Sequence, residues 1–130
     1  MEKGGAAWPR EFIVEDIKNG LSVYMTARWH SRIVGLIVLE KKKNAIMISD
    51  LFVSKSHRKR KIASQLLLAA GEFCLNEGYY KLKLHVREDN ETARKLYLKF
   101  GFRVIKKEEH YYEDFATALL METKLPFHCS

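Results

Sequence analysis

The stretch that most constrains the fold runs from Ala45 to Leu68 and reads AIMISDLFVSKSHRKRKIASQLLL. It joins an almost unbroken apolar run, a short polar loop with five consecutive His, Arg and Lys residues, and an apolar helical pattern. This order predicts a buried strand, a loop and a helix. The free N–H groups at the start of such a helix, together with the basic residues, favour a multiply charged anion such as a pyrophosphate. We therefore interpret the stretch as a phosphate cradle.

A single domain is the organisation that the length and composition favour. The chain has 130 residues, of which 47% are hydrophobic, so it holds enough apolar material for one core. We expect this domain to span residues 8–125, with loose termini at 1–7 and 126–130. The sequence has no apolar run of about 18 residues and no signal pattern at its start, so we expect a cytoplasmic protein without a membrane span.

The net charge is positive. Lys and Arg number 23 against 16 Asp and Glu, which gives +7 and favours polyanionic or acidic partners such as a nucleotide cofactor, a nucleic acid or an acidic peptide. Scattered lysines are also common on solvated surfaces. No metal-ligand spacing occurs, so no metal site is expected. Cys74 and Cys129 are expected to be a packed thiol and a tail thiol rather than a disulfide.

Periodicity and turn residues predict the elements in chain order. Trp8-Pro9 breaks the chain before a short helix predicted over Arg10–Gly20, which Asn19-Gly20 ends. The later predictions are strands over Leu21–Trp29, Arg32–Glu40 and Ala45–Ser54, a helix over Ile62–Gly78, a strand over Lys81–Arg87, a helix from about Asn90 to Phe100, and a closing hairpin of Phe102–Tyr112 and Phe115–Leu125 around Glu113-Asp114. The third strand is the most apolar and is expected to be central. The whole is an α/β domain with a mixed sheet.

Two blocks of the chain resemble a known family. Leu51–Ala63 with its following helix, and LHVREDNETARKLYLKFGF at Leu84–Phe102, are similar to the GNAT superfamily of acetyl-CoA-dependent N-acetyltransferases over roughly residues 8–125. Every fixed position of the family's N-x-x-A-x-x-L-Y-x-x-x-G-F pattern is present, as Asn90, Ala93, Leu96, Tyr97, Gly101 and Phe102. The resemblance implies acetyl-CoA as cofactor and a mixed, mostly antiparallel central sheet with flanking helices.

Within that superfamily the chain is most similar to the N-terminal acetyltransferases, including the ribosomal-protein alanine type. Trp8-Pro9, the histidine of LHV, and Tyr111-Tyr112 before Glu113-Asp114 carry this likeness. It implies that Trp8, Pro9, Tyr111 and Tyr112 line the entrance for an acceptor peptide. Two tyrosines in a strand also pack cores routinely, so both interpretations stay open.

The same resemblance implies a cofactor site. The backbone of Leu51 and Val53 would pair with the pantetheine arm, and Asn90 would hydrogen-bond that arm or cap its helix. The pyrophosphate would be surrounded by Arg58, Lys59, Arg60, Lys61, Ile62, Ala63 and Ser64. Lys61 departs from the family's Q/R-x-x-G-x-G/A motif, which has glycine at its place. A positive φ there would cost a lysine about 1 kcal/mol or more, which its ammonium could offset by reaching a phosphate.

A second departure is the short segment before Trp8. The family's first strand and first helix are expected to be missing. The strand over Leu21–Trp29 would then be an open edge, free to pair with a second copy of the chain as a homodimer.

The resemblance also suggests catalytic residues. An α-amine with a pKa of about 8 is about 10% neutral at about pH 7, whereas a lysine side chain is below about 0.1%, so an N-terminal acceptor demands less of a base. His85, on the polar face of its strand, is the expected base, and Tyr97 is the expected donor of a proton to the leaving thiolate. Asp50 is a rival base, whereas Met47 stands where other members carry a glutamate base. Structural roles for His85 and Tyr97 stay open.

Three functions compete at this point. The first is acetylation of the α-amino group of a protein or peptide N-terminus. The second keeps the cofactor and acetylates lysine, a polyamine or another small amine, because the fold serves many substrates. The third takes HRKRK as a nucleic-acid contact on a non-catalytic domain, but the exposed aromatic residues or groove-reading helix that such domains add are not found. We therefore expect no nucleic-acid partner.

Overall fold

The computed structural model describes residues 13–19, 22–55 and 61–127. Two compact units divide the chain: the first comprises Met1–Glu40 and Ser49–Ala70, and the second comprises Lys41–Ile48 and Gly71–Ser130. The interpretations of Trp8, Pro9, Arg58, Lys59, Arg60 and Cys129 lie outside the described residues. The single-domain organisation stays a prediction.

The first unit is built on antiparallel strands. It contains β1 (Ile13–Asn19), β2 (Ser22–Trp29), β3 (Arg32–Lys41), the end of β4 (Ile46–Val53) and the start of α1 (Ile62–Asn76). The strands lie in the order β1-β2-β3-β4, and β2 is antiparallel to both of its neighbours. A tight turn joins β2 to β3, and its two residues, His30 and Ser31, both have positive φ, as primed hairpin turns require.

The helix predicted over Arg10–Gly20 is wrong where the structure describes this segment, because β1 takes its place. Each β1 residue pairs with β2 in a continuous register, from Ile13 opposite Arg28 to Asn19 opposite Ser22. The β-branched Ile13, Val14 and Ile17 suit a strand, and a long ladder outweighs a weak local helical pattern. A strand therefore precedes β2, which lies between β1 and β3 rather than at an open edge. The basis for predicting a homodimer through β2 is removed.

The second unit combines parallel and antiparallel pairing. It holds the start of β4, the end of α1, β5 (Lys81–Arg87), α2 (Glu91–Lys99), β6 (Arg103–Glu108) and β7 (Ala118–Lys124). Its strand order is β4-β5-β7-β6, with β4 parallel to β5 from Ile46–Leu82 to Ile48–Leu84 and the other pairs antiparallel. This confirms the prediction of an α/β fold with a mixed, mostly antiparallel sheet and helices.

Alternation along β5 matches the prediction. Leu82, Leu84 and Val86 are buried in the core, whereas Lys83, His85 and Arg87 are half-buried on the other face. A strand whose side chains alternate in this way places three basic residues in one row. This row positions the polar part of the candidate site.

The closing hairpin is shorter in the structure than the sequence predicted. β6 ends at Glu108 and β7 begins at Ala118, so residues 109–117 form a connecting loop, here called the β6–β7 loop. Tyr111 and Tyr112 therefore lie in this loop and not in a strand. The reason is local: His110 and Phe115 adopt positive φ, which interrupts the extended conformation that strand pairing needs.

The helices behave largely as predicted. Ile62, Leu66 and Leu67 of α1 are fully buried, and the chain leaves the helix through Gly78 at a φ of 83°. Cys74 is buried, as expected for a packed thiol, and burial raises the pKa of its thiol to about 12. None of the helices in the described ranges is long and apolar enough to cross a membrane.

Candidate active site

The described part of the predicted cradle begins with a strained lysine. Lys61 precedes the first residue of α1 and has a φ of 59°, a conformation that costs a residue with a Cβ about 1–2 kcal/mol. The sequence motif had suggested a glycine-like backbone at this position, and the structure shows that the lysine adopts it. At this one position the positive φ that the family's glycine permits is kept although the residue differs.

The charge around the start of α1 suits an anion. The first turn of α1 contains no acidic residue, the Lys61 side chain is exposed, and Ala63 and Ser64 are half-buried. Unpaired N–H groups at the start of a helix carry partial positive charge. An acidic side chain in the first turn would neutralise part of this charge, and α1 has none there. The described part of the cradle therefore fits a phosphate group.

Gly35 of β3 allows the start of α1 to pack closely against the strand, and it was not predicted from the sequence. A Cβ at this glycine would lie 2.9 Å from Cγ2 of Ile62 and 3.0 Å from Cδ1 of Leu66. Such distances are shorter than well-packed side chains tolerate. The absence of a side chain at Gly35 therefore lets the first turns of the helix approach the sheet closely.

The end of β4 carries Leu51 and Val53, the two residues predicted to contact the pantetheine arm. Leu51 and Val53 are half-buried, and just beyond them the Ser54 N–H donates to the Val34 carbonyl at 2.7 Å, which ties this end of β4 to β3. The roles of Leu51 and Val53 in cofactor binding stay predictions. Asp50, the rival base, is exposed on the same strand.

In the second unit, Lys83, His85 and Arg87 on the polar face of β5 each meet a carboxylate. The Lys83 ammonium lies 3.7 Å from Oε1 of Glu122 on β7, and Nε2 of His85 lies 3.1 Å from Oε1 of Glu108 on β6. Arg87 contacts Asp114 of the β6–β7 loop at 2.9 Å and Asp89 at 3.1 Å. The row is thus held by acids from four later segments of the chain.

His85 is held on two sides. Its side chain is 23% exposed, and its ring stacks on Tyr111 with centroids 4.6 Å apart and planes inclined by 21°. Glu108, which contacts the ring nitrogen, is 24% exposed and also has its Oε2 3.6 Å from Nζ of Lys106. Sequence reasoning missed Glu108, because only the pairing of β5 and β6 with β7 brings it to His85.

The β6–β7 loop is fixed by Arg87 and by its own backbone. The guanidinium lies 5.2 Å from the Tyr112 ring centroid, and the N–H groups of Tyr111 and Tyr112 both donate to the Ala116 carbonyl. The hydrogen bond from Arg87 lowers the pKa of Asp114 and raises the pKa of Arg87 itself. Burial is the main cause that raises the pKa of Tyr112, and the neighbouring Tyr111 raises it further. The two tyrosines are therefore displayed from an anchored loop.

Tyr97 and Asn90 have clear structural roles. Tyr97 is 8% exposed, and its ring meets Phe102 edge-on with centroids 5.6 Å apart. The Asn90 side chain accepts the Ala93 N–H at 3.2 Å and caps α2. These contacts account for both residues as packing and capping groups. Their roles in chemistry and cofactor binding stay predictions.

The comparisons with known proteins identify the family. Residues 2–102 match the model of the Acetyltransferase (GNAT) family. An N-alpha-acetyltransferase of Sulfurisphaera tokodaii is 30% identical over 135 residues, which cover 91% of this chain and 78% of that protein. The chain belongs to the GNAT family. The prediction of a GNAT-family acetyltransferase is confirmed.

Solved structures agree on the fold. Ard1 from Thermoplasma volcanium superimposes with a TM-score of 0.76 at 27% identity, covering 78% of this chain and 69% of that one. A GNAT family acetyltransferase from Elizabethkingia anophelis, solved with acetyl-CoA bound, gives a TM-score of 0.82 at 16% identity and covers 90% of this chain and 100% of that one. The chain spans between 25% and 78% of the length of the curated relatives that it matches.

Proposed function

We propose that this enzyme transfers the acetyl group of acetyl-CoA to the α-amino group of a protein or peptide N-terminus. The observation that carries the proposal is the stack of Tyr111 on His85. It joins a group that can accept a proton to an aromatic ring that is 49% exposed and displayed from an anchored loop. An aromatic side chain beside a base offers an apolar contact for the first residues of a peptide whose amine reacts.

The acceptor chemistry supports an α-amine. His85 takes the proton of the acceptor ammonium, which leaves a neutral amine with a lone pair for attack. An α-amine needs little help at about pH 7, because about 10% of it is already neutral. A histidine, whose ordinary pKa of about 6.5 lies below that of the amine, is a sufficient base for this step.

The remaining roles follow from the balance of the reaction. Acetyl-CoA supplies the acetyl group and a thiolate leaving group. As the amide C–N bond forms and the C–S bond breaks, the nitrogen loses its second proton to solvent, because His85 already holds the first, and the departing sulfur gains one proton. The Tyr97 hydroxyl donates the proton to sulfur and is reprotonated from solvent.

The cofactor-binding roles that the family resemblance implies are part of the same proposal. Lys61, Ile62, Ala63 and Ser64 would hold the pyrophosphate through one ammonium and the helix N–H groups, with Arg58, Lys59 and Arg60 adding charge. Leu51 and Val53 would offer backbone groups to the pantetheine amides, and Asn90 would offer its amide. A cytoplasmic location is part of the same proposal.

Acceptor selectivity tests the proposal. Matched peptides would be offered with acetyl-CoA: one with a free α-amine and no lysine, one with a blocked α-amine and a lysine, and a polyamine. CoA release and product mass identify the acceptor. We expect acetylation of the first peptide only. Acetylation confined to the lysine peptide or to the polyamine would overturn the N-terminal acceptor.

A variant pair connects the acceptor to the loop. Tyr111→Ala should raise the KM for the free-amine peptide about 10-fold or more. The substitution removes an aromatic contact with the peptide, whose burial contributes about 1–3 kcal/mol to binding. Tyr80→Ala is the matched control, since Tyr80 is also exposed but lies outside the loop. Equal KM values for the two variants would contradict a role of Tyr111 in peptide binding.

A further inference from the structure

The contact between His85 and Glu108 carries an inference about which atom of the histidine acts. We propose that Glu108 is a positioning residue that fixes the neutral His85 ring with its proton on Nε2, so that Nδ1 is the atom that accepts the proton of the acceptor amine. The inference rests on the proposed function, in which His85 is the base.

The hydrogen-bond inventory sets the tautomer. An ionised carboxylate can only accept hydrogen bonds, and Oε1 of Glu108 lies 3.1 Å from Nε2 of His85. Nε2 must therefore carry the hydrogen in this contact. A neutral imidazole has one N–H and one lone pair, so the lone pair lies on Nδ1. Within the described ranges, Glu108 is the one hydrogen-bond partner of the ring.

Two further contacts fix the orientation of the ring. Stacking on Tyr111 covers one face of the imidazole and restricts its rotation. The carboxylate is itself held, because its other oxygen lies 3.6 Å from the Lys106 ammonium. A ring held at one nitrogen and one face presents its other nitrogen in a single direction. This is the arrangement by which a second group orients a catalytic histidine.

The carboxylate also stabilises the charged form that the proposed step creates. When Nδ1 accepts a proton from the amine, the ring becomes an imidazolium, and its Nε2–H then donates a charge-assisted hydrogen bond to Glu108. The proton leaves Nδ1 for solvent after the amide has formed. No proton needs to pass to Glu108, so its part is to orient and to stabilise.

Other charges near the ring are already matched by partners. Lys83 and Arg87 flank His85 on the same face of β5, where they pair with Glu122 and Asp114. Lys106 faces the site from β6, Tyr111 faces it from the loop, and β7 places the apolar Leu120 opposite His85. Glu108 is therefore the carboxylate that contacts the ring directly.

Nitrogen NMR tests the tautomer without any reaction. Long-range ¹H–¹⁵N correlation spectra of the ¹⁵N-labelled enzyme distinguish the Nε2–H tautomer from the Nδ1–H tautomer. The spectra are recorded at a pH at which the His85 ring is neutral. We expect the Nε2–H form in the unmodified enzyme and a mixture of both forms in Glu108→Gln, whose amide can donate as well as accept. A dominant Nδ1–H form in the unmodified enzyme would overturn the inference.

Kinetics with matched variants test the consequence. Glu108→Gln should lower kcat/KM for the peptide about 10- to 100-fold, the usual effect of losing such an orienting partner, and should move the acidic limb of the pH profile to lower pH. The control is Glu109→Gln, because the neighbouring Glu109 is exposed. Glu108→Asp, which keeps the charge, should restore part of the rate. Equal rates and profiles for Glu108→Gln and Glu109→Gln would overturn the inference.

A double mutant separates this inference from the proposed function. If Glu108 acts through His85, adding Glu108→Gln to His85→Ala should not lower the rate further. A fully active His85→Ala would overturn the proposed role of His85 and the assignment of Nδ1 with it. An impaired His85→Ala beside an unaffected Glu108→Gln would overturn the positioning role alone.

Discussion

Arg87 holds the carboxylate of Asp114 with two parallel hydrogen bonds, from Nη1 to Oδ1 at 3.3 Å and from Nη2 to Oδ2 at 2.9 Å. This contact joins β5 to the β6–β7 loop 27 residues later in the chain. The same carboxylate accepts the Ala116 N–H at 3.1 Å. The position of the loop tyrosines therefore depends on one aspartate.

Asp114→Asn should weaken acceptor binding more than turnover. The amide keeps the shape of the side chain but offers one acceptor oxygen in place of two, so the two-point contact with Arg87 is lost. We expect the peptide KM to rise about 3- to 10-fold while the KM for acetyl-CoA stays unchanged. Glu113→Gln, at an exposed position beside it, serves as the control. A selective loss of acetyl-CoA affinity would contradict the assigned role of the loop.

The Asp114 contact should also depend on pH in a defined window. Because Arg87 lowers the pKa of Asp114 in the folded protein, the contact is fully formed above the unfolded value of about 3.9 and is lost as the pH falls through the lower folded value. The amide shift of Ala116 in an NMR titration should therefore move with a midpoint below about pH 3.9. Asp114→Asn should remove this transition. A midpoint above the ordinary aspartate value would contradict it.

Lys61→Gly should stabilise the fold. Removing the Cβ at a φ of 59° relieves about 1–2 kcal/mol of backbone strain in the folded state. Glycine also has more conformational freedom in the unfolded chain, which lowers the stability by about 0.4–1 kcal/mol. We expect a net gain of about 0.5–1 kcal/mol in the free energy of unfolding, seen as a rise of a few degrees in Tm. Unchanged or lower stability would contradict the relief of strain.

Titration of Lys61→Gly with acetyl-CoA tests whether the Lys61 ammonium contributes to phosphate binding. We expect Lys61→Gly to bind acetyl-CoA as tightly as the unmodified enzyme or more tightly, since the phosphate can then approach the backbone more closely. Lys61→Ala is the control that keeps the strain and removes the charge. A large loss of affinity in both variants would show instead that the lysine has become a phosphate ligand.

Gly35→Ala should displace the start of α1. The added methyl group would lie 2.9 Å from Cγ2 of Ile62, so the helix must shift or the side chains must repack, at a cost of about 1–3 kcal/mol. Calorimetric titration should show weaker acetyl-CoA binding together with the lower stability. Gly78→Ala is a useful comparison, because its Cβ would meet no neighbour in the described structure although its φ of 83° is strained. Equal acetyl-CoA affinity in Gly35→Ala and the unmodified enzyme would refute this positioning role.

Tyr97→Phe should separate packing from chemistry. The ring that meets Phe102 is kept, so acetyl-CoA affinity and the folded structure should be retained, while loss of the hydroxyl removes the proposed donor to the thiolate. Turnover should fall about 100-fold or more. Single-turnover kinetics would locate the defect in the chemical step. Unchanged turnover would leave Tyr97 as a core residue.

The sequence predicted elements whose pattern is strong and local. The alternation of β5, the apolar run of β4 and the cap of α2 at Asn90 each depend on neighbouring residues, so they could be predicted without knowing the partners. Lys61 is a similar case, because the family motif implied a positive φ at its position. The features that the sequence predicted are therefore those that neighbouring residues or a local motif determine.

The failures involve contacts between distant residues. β1 was predicted as a helix because its ladder with β2 leaves no signature in the short segment itself. Glu108 was missed because it reaches His85 only through the registers of two different strand pairs. The tyrosines were assigned to a strand because the positive φ of His110 and Phe115 is not encoded by glycine. The first two errors arose from tertiary pairing that the local sequence does not encode, and the third from local backbone conformation.

The pairing of the β5 row with later acids has a consequence for how an acceptor is chosen. Lys83 and Arg87 each face a carboxylate, and Glu108 beside the neutral His85 also contacts Lys106, so the electric field that these groups project into solvent is largely cancelled at short range. An approaching peptide would meet a surface that selects by ring stacking and hydrogen-bond direction, with little long-range attraction or repulsion. The net charge of the substrate beyond its first residues would then matter little here, and capture at this face would be nearly independent of ionic strength.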